Sequence, residues 1–108
     1  MVNSMASGKK LALKIRPTDN VATVLDDVVK GDIVHVRSAD SSEDRMLEAK
    51  ENVPFGFKVS LSDIQKGEHI IKYGEIIGKA SDFIGEGCLV HVHNVEGLRG
   101  RGDLEKTG

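Results

Sequence analysis

The sequence predicts a small, mostly β domain with short helices, and three observations lead to this fold class. The chain has 108 residues, which is the size of one domain with one modest core. Aromatic residues make up 4% and tryptophan is absent, so the core must be built from valine, isoleucine and leucine. Valine and isoleucine favour strands. The apolar runs are also short and are separated by glycine, proline or aspartate, as in folds made of short strands.

The composition divides the chain into three parts. Residues 1–9 are small and polar and predict a disordered leader, residues 10–96 predict the folded domain, and residues 97–108 predict a flexible tail. The leader contains no apolar run long enough for a signal peptide or a membrane span. A single cysteine excludes a disulfide within the chain. We therefore expect a cytoplasmic protein without membrane attachment.

The first half predicts two strands around a helix, followed by a loop and a third strand. Leu11–Ile15 predicts a strand with one buried face, and Pro17 ends it. Thr18–Asn20 supplies capping candidates for a helix that ends at Gly31. The apolar stripe of this helix consists of Val21, Val24, Leu25 and Val28. Residues 32–38 predict the second strand, residues 39–45 a polar loop, and residues 46–53 a weaker strand before Pro54.

A local pattern recurs three times along the chain. Each copy has an aspartate, a few residues suited to a single helical turn, a glycine, and then a strand. The copies are Asp27–His35, Asp63–Ile71 and Asp82–His91. Between the last two, Gly74 and Gly78 predict tight bends around a strand at Glu75–Ile77. Such bends suit a curled small barrel better than a flat sheet.

Two histidines close the last predicted strand. A strand has a side-chain period of two, so His91 and His93 are expected to point the same way, toward one metal ion or one substrate. The alternative is that the pair lines a half-exposed strand, since the sequence identifies no third ligand. His35 and His69 are expected to be ordinary surface or partly buried histidines.

Basic residues on both sides of this histidine pair in the sequence are candidates for binding an anion. Arg99 and Arg101 stand among glycines, where they can fork onto the carboxylate or sulfonate of a small acid or onto a partner chain. A solvated tail is the alternative. Lys58 and Lys72 are also able to touch an anionic substrate, although such residues mostly cover strand edges. Cys88 lies in an apolar stretch and is a poor candidate for a nucleophile.

The motifs of the second half resemble a known family. Pro54–Asn94 looks like the SAF-type domain of the altronate and galactarate dehydratase family, which includes the small subunits of sulfolactate sulfo-lyase-like enzymes. The specific matches are Ile71–Gly78 (IKYGEIIG) and His91–Asn94 (HVHN), and Thr18–Gly31 is similar to the opening DNVA segment. The resemblance implies a β-clip fold, a small subunit beside a larger catalytic chain, and divalent iron or manganese.

One position departs from that family. Its members commonly carry a histidine after the glycine of the PFG-type motif, whereas this chain has Phe57 after Gly56. If that histidine helps to bind metal or substrate, this chain lacks its contribution.

The sequence as a whole predicts an accessory protein. A net charge of −2 argues against a nucleic-acid partner, and no complete catalytic motif is present. We expect the small subunit of a metal-dependent sugar-acid dehydratase that completes the active site of a large catalytic subunit holding most of the metal ligands. His91 and His93 are the candidate catalytic and metal-binding residues. The candidate substrate-binding residues are Arg99, Arg101, Lys72 and Asn94. The alternatives are a small subunit of a sulfolactate sulfo-lyase and a non-catalytic module that binds a sugar acid or scaffolds a complex.

Overall fold

The computed structural model describes residues 9–39 and 44–97, and within these ranges it is made of strands and turns. Nine strands occur there: β1 (Lys10–Lys14), β2 (Val21–Val24), β3 (Ile33–Ser38), β4 (Asp44–Glu48), β5 (Lys58–Ser60), β6 (His69–Lys72), β7 (Glu75–Ala80), β8 (Leu89–Val90) and β9 (Val95–Glu96). The mostly β prediction is confirmed, but the described residues contain none of the short helices expected. In those residues no helix is long and apolar enough to cross a bilayer.

The strands form two sheets. The larger has six strands in the order β4-β3-β1-β2-β5-β8, and the smaller has three in the order β6-β7-β9. β1 and β3 are parallel, with Ala12 opposite Val36, and every other pair among these strands is antiparallel. Strands that are distant in sequence, such as β5 and β8, therefore become neighbours.

The helix predicted after Pro17 is wrong. The first residues of its apolar stripe, Val21 and Val24, instead belong to β2, which pairs with β1 on one side and with β5 on the other. Because β2 is central in the sheet, Val21, Ala22 and Val24 are all buried, so the run lacks the alternation that identifies a half-exposed strand. Leu25, predicted to belong to the apolar stripe, is 44% exposed.

Four tight turns of one kind shape the described part of the chain. They span Val29–Asp32, Pro54–Phe57, Gln65–Glu68 and Gly85–Cys88, and are called turns 1 to 4 below. In each, the N–H of the fourth residue donates to the C=O of the first over 2.9–3.1 Å. The third residue is a glycine with φ between 88° and 97°, as a type II turn requires. The sequence located turns 1, 3 and 4 but predicted helical turns there, and it missed turn 2.

The turns are joined in pairs by isolated β-bridges placed just before them. Val28 bridges Val53, which joins turns 1 and 2, and Ile64 bridges Ile84, which joins turns 3 and 4. For turns 1, 2 and 4, the residue before the partner's bridging residue holds the turn, because its side-chain oxygen accepts the N–H of the turn's second residue over 2.8–2.9 Å. Turn 3 lacks this contact, because Phe83 precedes Ile84. The acceptor and donor pairs are Asp27 with Phe55, Asn52 with Lys30, and Asp63 with Glu86.

The buried side chains form two clusters rather than one core. The first consists of Ala12, Ala22, Val24, Val28, Val34, Val36, Leu47, Ala49, Val53, Val59 and Leu61. The second consists of Val21, Ile64, Ile70, Ala80, Ile84 and Val90. Each pair of turns contributes its bridging residues to one cluster, and β2 contributes to both.

The hairpin of β6 and β7 is irregular. Its turn is formed by Tyr73 at φ 58° and Gly74 at φ 75°, which confirms the predicted bend at Gly74. Gly78 is not a second bend, because β7 continues through it to Ala80. A Cβ atom at Gly78 would lie 2.6 Å from the carbonyl oxygen of Glu96, so this glycine allows β9 to approach β7. The pairing shifts by one residue at Ile77, which forms a bulge.

Some predictions fall outside the described residues. Of the predicted leader only Lys9 is described, and of the predicted tail only Gly97. The same holds for residues 40–43 of the predicted loop, whereas Asp44 and Arg45 belong to β4. The domain boundaries at residues 9 and 97 therefore remain predictions.

Candidate functional site

The two histidines of the HVHN motif lie in a turn. β8 ends at Val90, and the N–H of Asn94 donates to the C=O of His91 over 3.0 Å, which closes a turn over His91–Asn94. The predicted strand at His91 and His93 is wrong, so the two-residue period does not orient their rings. Val92, between them, is 79% exposed and has no place in the core.

Asn94 fixes this turn against the end of β8. Its Oδ1 accepts the N–H of His91 over 3.0 Å, and its Nδ2 donates to the C=O of Leu89 over 2.9 Å. The residue is buried at 8% exposure. The predicted contact of Asn94 with substrate stays a prediction, but both polar atoms of its side chain already serve the backbone that carries His91.

Asn20 makes the same pair of contacts with β6. Its Oδ1 accepts the N–H of Ile71 over 2.8 Å, and its Nδ2 donates to the C=O of His69 over 2.9 Å. In both cases one asparagine side chain hydrogen-bonds the C=O of one residue and the N–H of the residue two positions later. These are the backbone groups that a neighbouring strand would otherwise pair with. The predicted helix-capping role of Asn20 is therefore wrong, and the residue instead covers the outer edge of β6.

Asp19 holds the turn of the β6–β7 hairpin. Its Oδ1 accepts the N–H of Gly74 over 2.8 Å, and its Oδ2 accepts those of Tyr73, Arg16 and Ile15 over 3.1–3.2 Å. Burial alone would raise the pKa of this carboxyl group. The four backbone donors outweigh burial, so the pKa of Asp19 lies below its ordinary value.

The anchored hairpin presents a lysine and a tyrosine. The Lys72 Nζ atom lies 4.7 Å from the centre of the Tyr73 ring, within the range of a cation–π contact. Tyr73 is 54% exposed and has a positive φ that is uncommon for a tyrosine. The hydrogen bond from its N–H to Asp19 supports this conformation, so Asp19 determines where the side chain of Tyr73 emerges.

The ring of His91 packs against Phe57. The two ring centroids are 4.4 Å apart and the ring planes are tilted by 47°. Phe57 is the last residue of turn 2, and β5 begins at the next residue. Phe57, the position at which the sequence departs from the family it resembles, therefore lies beside His91, the first histidine of the HVHN motif.

A cavity of about 290 Å³ opens next to His91. It is lined by Lys58, Ile77, His91, Val92, Val95 and Gly97. Lys58 comes from β5, which pairs with β8 so that Lys58 lies opposite Val90. This pairing brings the PFGFK segment and the HVHN segment together. The lining therefore combines apolar side chains with one lysine and one imidazole.

The electrostatics of this region favour an anion. Burial lowers the pKa of Lys58, and the positive charge of Lys72 lowers it further. The ion pairs among the described residues are Lys10–Asp32, Arg45–Glu86 and Lys50–Glu48, so neither Lys58 nor Lys72 has a carboxylate partner there. Lys58 thus lines the site without a neutralising charge from the residues described, and the charge of Lys72 acts on it from nearby.

The residues around His91 do not fit a metal ion. A bound divalent cation needs at least three convergent donor atoms, and the described part of the chain holds no such group of histidine, cysteine, aspartate or glutamate. The His91 ring instead contacts a phenylalanine ring, and His91 shares its cavity with the cationic residue Lys58. Both His91 and His93 as metal ligands remain predictions that need donors from elsewhere.

The other candidate residues are dispersed. His93 is exposed in the turn and does not line the cavity with His91, and Arg99 and Arg101 lie outside the described residues. His69 is exposed and His35 is partly buried, in agreement with the ordinary roles predicted for them. Burial raises the pKa of the Cys88 thiol, and the charge of Glu51 adds to this, which agrees with the prediction that Cys88 is a poor candidate for a nucleophile.

The sequence did not indicate the cavity itself. Lys58, Ile77 and Val95 come from three strands, and their meeting depends on the pairing of β5 with β8 and on the approach of β9 to β7. No local pattern encodes these pairings. The one signal in the sequence was the lysine directly after the PFGF segment, which is the kind of residue an anionic ligand needs.

Comparisons with known proteins give a consistent result. A family model described as the altronate/galactarate dehydratase SAF domain matches residues 10–98. The altronate dehydratase of Bacillus subtilis is 36% identical over 87 residues, and that of Escherichia coli is 39% identical over 82. The (2R)-sulfolactate sulfo-lyase subunit alpha of Chromohalobacter salexigens is 33% identical over 76 residues.

These relatives differ in how much of their own length is matched. The match to the two altronate dehydratases covers 81% and 76% of this chain but only 16% and 15% of those proteins. The chain thus spans about one sixth of their length. The match to the sulfo-lyase subunit alpha covers 70% of this chain and 81% of that subunit.

Proposed function

Because the chain belongs to the family of altronate/galactarate dehydratase SAF domains, we propose that it is the small subunit of a metal-dependent sugar-acid dehydratase. It completes an active site whose larger part comes from a separate catalytic chain. In support, the match to one (2R)-sulfolactate sulfo-lyase subunit alpha covers 81% of that subunit, and a subunit of this kind works with a further chain.

The observation that carries the proposal is the placement of His91 beside Lys58. Elimination of water next to a carboxylate requires a base for the proton, an acid for the departing hydroxyl group, and positive charge near the carboxylate. An imidazole is a common proton donor and acceptor in such steps, and an ammonium group supplies the charge. The described residues offer these two functions and no complete set, so the remaining groups are assigned to the partner.

The metal is assigned to the large chain. Divalent iron or manganese is what the family resemblance implies, and it would help the leaving group to depart. The surroundings of His91 are cationic and aromatic, so a cation bound at this surface would need its other donors from the partner chain. His91 of this chain is then the group that moves a proton, and Lys58 is the group that orients the acid.

A sulfolactate sulfo-lyase is the second candidate. The observation in its favour is coverage, because the match spans 81% of one subunit alpha and 94% of the subunit alpha of Paracoccus pantotrophus. A subunit named alpha implies a further subunit, as the first candidate does. The leaving group would then be sulfite in place of water, while the tasks of His91 and Lys58 would remain the same.

The test is reconstitution with a large catalytic chain encoded in the same genome. The pair is assayed on altronate, galactarate and sulfolactate, with wild-type chain, His91→Gln, His93→Gln and His69→Gln. We expect His91→Gln to lower kcat by about 100-fold or more, the usual contribution of a general acid or base. His69→Gln is the matched control, since His69 is exposed on β6. Turnover of His91→Gln at the wild-type rate would contradict the proposal.

A non-catalytic module is the competing hypothesis from another class. If no large chain assembles with this one, or if assembly leaves turnover of all three acids unchanged relative to the large chain alone, the chain is a binding or scaffolding module. The isolated chain itself is expected to turn over none of these acids, even when loaded with divalent iron or manganese.

A further inference from the structure

We propose that the cavity between Lys58, Ile77 and His91 is an anion subsite of this chain itself, and that it takes the carboxylate or sulfonate group of a short hydroxy acid. The identity of the acid rests on the proposed function. The existence of the anion subsite does not, since it is inferred from charge, shape and rigidity alone.

Two lysines without a carboxylate partner among the described residues supply the charge. Lys58 is partly buried on β5, and Lys72 is near enough for its charge to lower the pKa of Lys58. Other described basic residues outside the ion pairs, such as Lys30 and Lys66, are exposed, whereas Lys58 is partly buried and lines the cavity. Placing a lysine where burial and a like charge both oppose its charged form costs free energy. The negative charge of a bound anion would offset this cost.

The cavity wall has a shape that suits a small acid. About 290 Å³ is at the lower end of the range for small-molecule sites, which fits an acid of a few carbon atoms rather than a large cofactor. Its lining combines Lys58 and His91 with apolar side chains. Among the apolar lining residues, Ile77 and Val92 are 38% and 79% exposed and can cover the carbon chain of the ligand. A few placed polar groups in a largely apolar pocket are typical of binding sites.

The two polar groups of the cavity are also held in place. Lys58 lies on a strand that pairs with β2 on one side and β8 on the other. The backbone of His91 is fixed by the Asn94 side chain, and its ring is packed against Phe57. Groups that are fixed before the ligand arrives lose little freedom on binding, which makes even a small site effective.

The experiment is an NMR titration of the isolated full-length chain with sulfate, altronate and the neutral polyol that corresponds to altronate. We expect saturable shifts of the Lys58 ammonium and the His91 ring with the two anions, with a Kd in the millimolar range, and none with the polyol. Lys58→Arg should retain binding and Lys58→Gln should weaken it about tenfold or more. Lys66→Gln, at an exposed position in turn 3, is the control and should bind as the wild type does.

The titration also has a pH dependence with a defined sign. Binding needs the protonated form of Lys58, so affinity should fall as the pH rises through a pKa that lies below the ordinary lysine value. The bound anion should raise that pKa. Equal shifts with the polyol, unsaturable shifts shared by all lysines, or unchanged binding in a folded Lys58→Gln variant would each overturn the subsite. If the large chain fails to assemble but these shifts saturate, the proposed function fails and the subsite stands.

Discussion

At the scale of single residues, three polar side chains determine the geometry around the site. Asp19, Asn20 and Asn94 each bind backbone groups of a neighbouring segment, and the first two were predicted from the sequence as helix caps. Aspartate and asparagine accept backbone N–H groups in turns and at strand edges as readily as at helix ends. The residue types therefore predicted that these side chains bind backbone N–H groups, but not which segment supplies those groups. Tyr73 and Gly74, for example, are more than 50 residues away from Asp19 in the sequence.

Replacing Asp19 by alanine should destabilise the fold. Four backbone N–H groups would lose their acceptor, and we expect a loss of about 2–4 kcal/mol in the free energy of unfolding, measured in urea. Asp82→Ala, at an exposed aspartate, is the control and should change it by less than about 0.5 kcal/mol.

Asp19 should also account for part of the loss of folding stability at low pH. The folded-state pKa of Asp19 is lowered, so its contribution is present above the pKa of the unfolded chain and is lost as the pH falls through the folded-state value. The Asp19→Ala variant should lose less stability than the wild type between about pH 5 and the folded-state pKa. Parallel pH profiles for the two proteins would contradict this assignment.

Phe57→His should create a weak metal site. The Phe57 and His91 rings are in contact at 4.4 Å, so the variant would place two imidazoles side by side. We expect calorimetry with Zn²⁺ to show saturable binding in Phe57→His that is lost in the double variant with His91→Gln. Equal binding by the wild type and the variant would mean that position 57 does not face the imidazole.

At the scale of elements, the four glycine turns were the part that the sequence predicted best. Three were located from an aspartate followed by a glycine, and turn 2 was missed because Asn52 stands where the pattern had aspartate. Asn52 performs the same task as Asp27, since its side-chain oxygen accepts a backbone N–H of the partner turn. A pattern that allowed asparagine would have found all four. The bridge between paired turns has no local signal, which is why single helical turns were predicted instead.

Alanine at two of these glycines should have different effects. Gly31 has φ 97°, and a methyl group added there would meet no atom within 4 Å, so Gly31→Ala should cost about 1–2 kcal/mol for the left-handed conformation alone. At Gly87 the added methyl group would also collide with the carbonyl oxygen of Glu48, and overpacking adds about 1–3 kcal/mol. Urea unfolding of both variants tests this difference. Equal losses would show that turn 4 can move away from β4.

At the scale of the whole molecule, the sequence predicted one modest core and the structure has two clusters. Composition constrains how much apolar surface can be buried, but the division of that surface into two clusters depends on which strands pair. Strand β2 is placed so that Val21 packs in one cluster while Ala22 and Val24 pack in the other. The site lies where the strands of both clusters meet, because Lys58 comes from β5 and Ile77 from β7. These pairings join distant segments, so no sequence window contains them.

Because β2 is shared, the two clusters should unfold together. Leu61→Ala in the first cluster and Ile84→Ala in the second should each cost about 2–5 kcal/mol and shift one common transition. Leu25→Ala, at a side chain that is 44% exposed, is the control. Circular dichroism and amide hydrogen exchange during urea unfolding would report the transition. Two separate transitions in either variant would mean that the clusters are independent units.

The pairing of the turns also has a kinetic consequence. Turns 1, 2 and 4 are each held by a side chain 22 to 28 residues away along the chain, so none of these three is complete until a long loop has closed. Closing such loops lowers the entropy of the chain before the new contacts can compensate for it. Chains that depend on distant contacts therefore fold slowly, on the scale of roughly milliseconds to seconds. During that interval the strand edges that Asn20 and Asn94 later cover are open to other chains. The strand edges of a newly made chain are therefore most exposed to pairing with other chains before its turns have paired. Early contact with a partner chain would shorten that period.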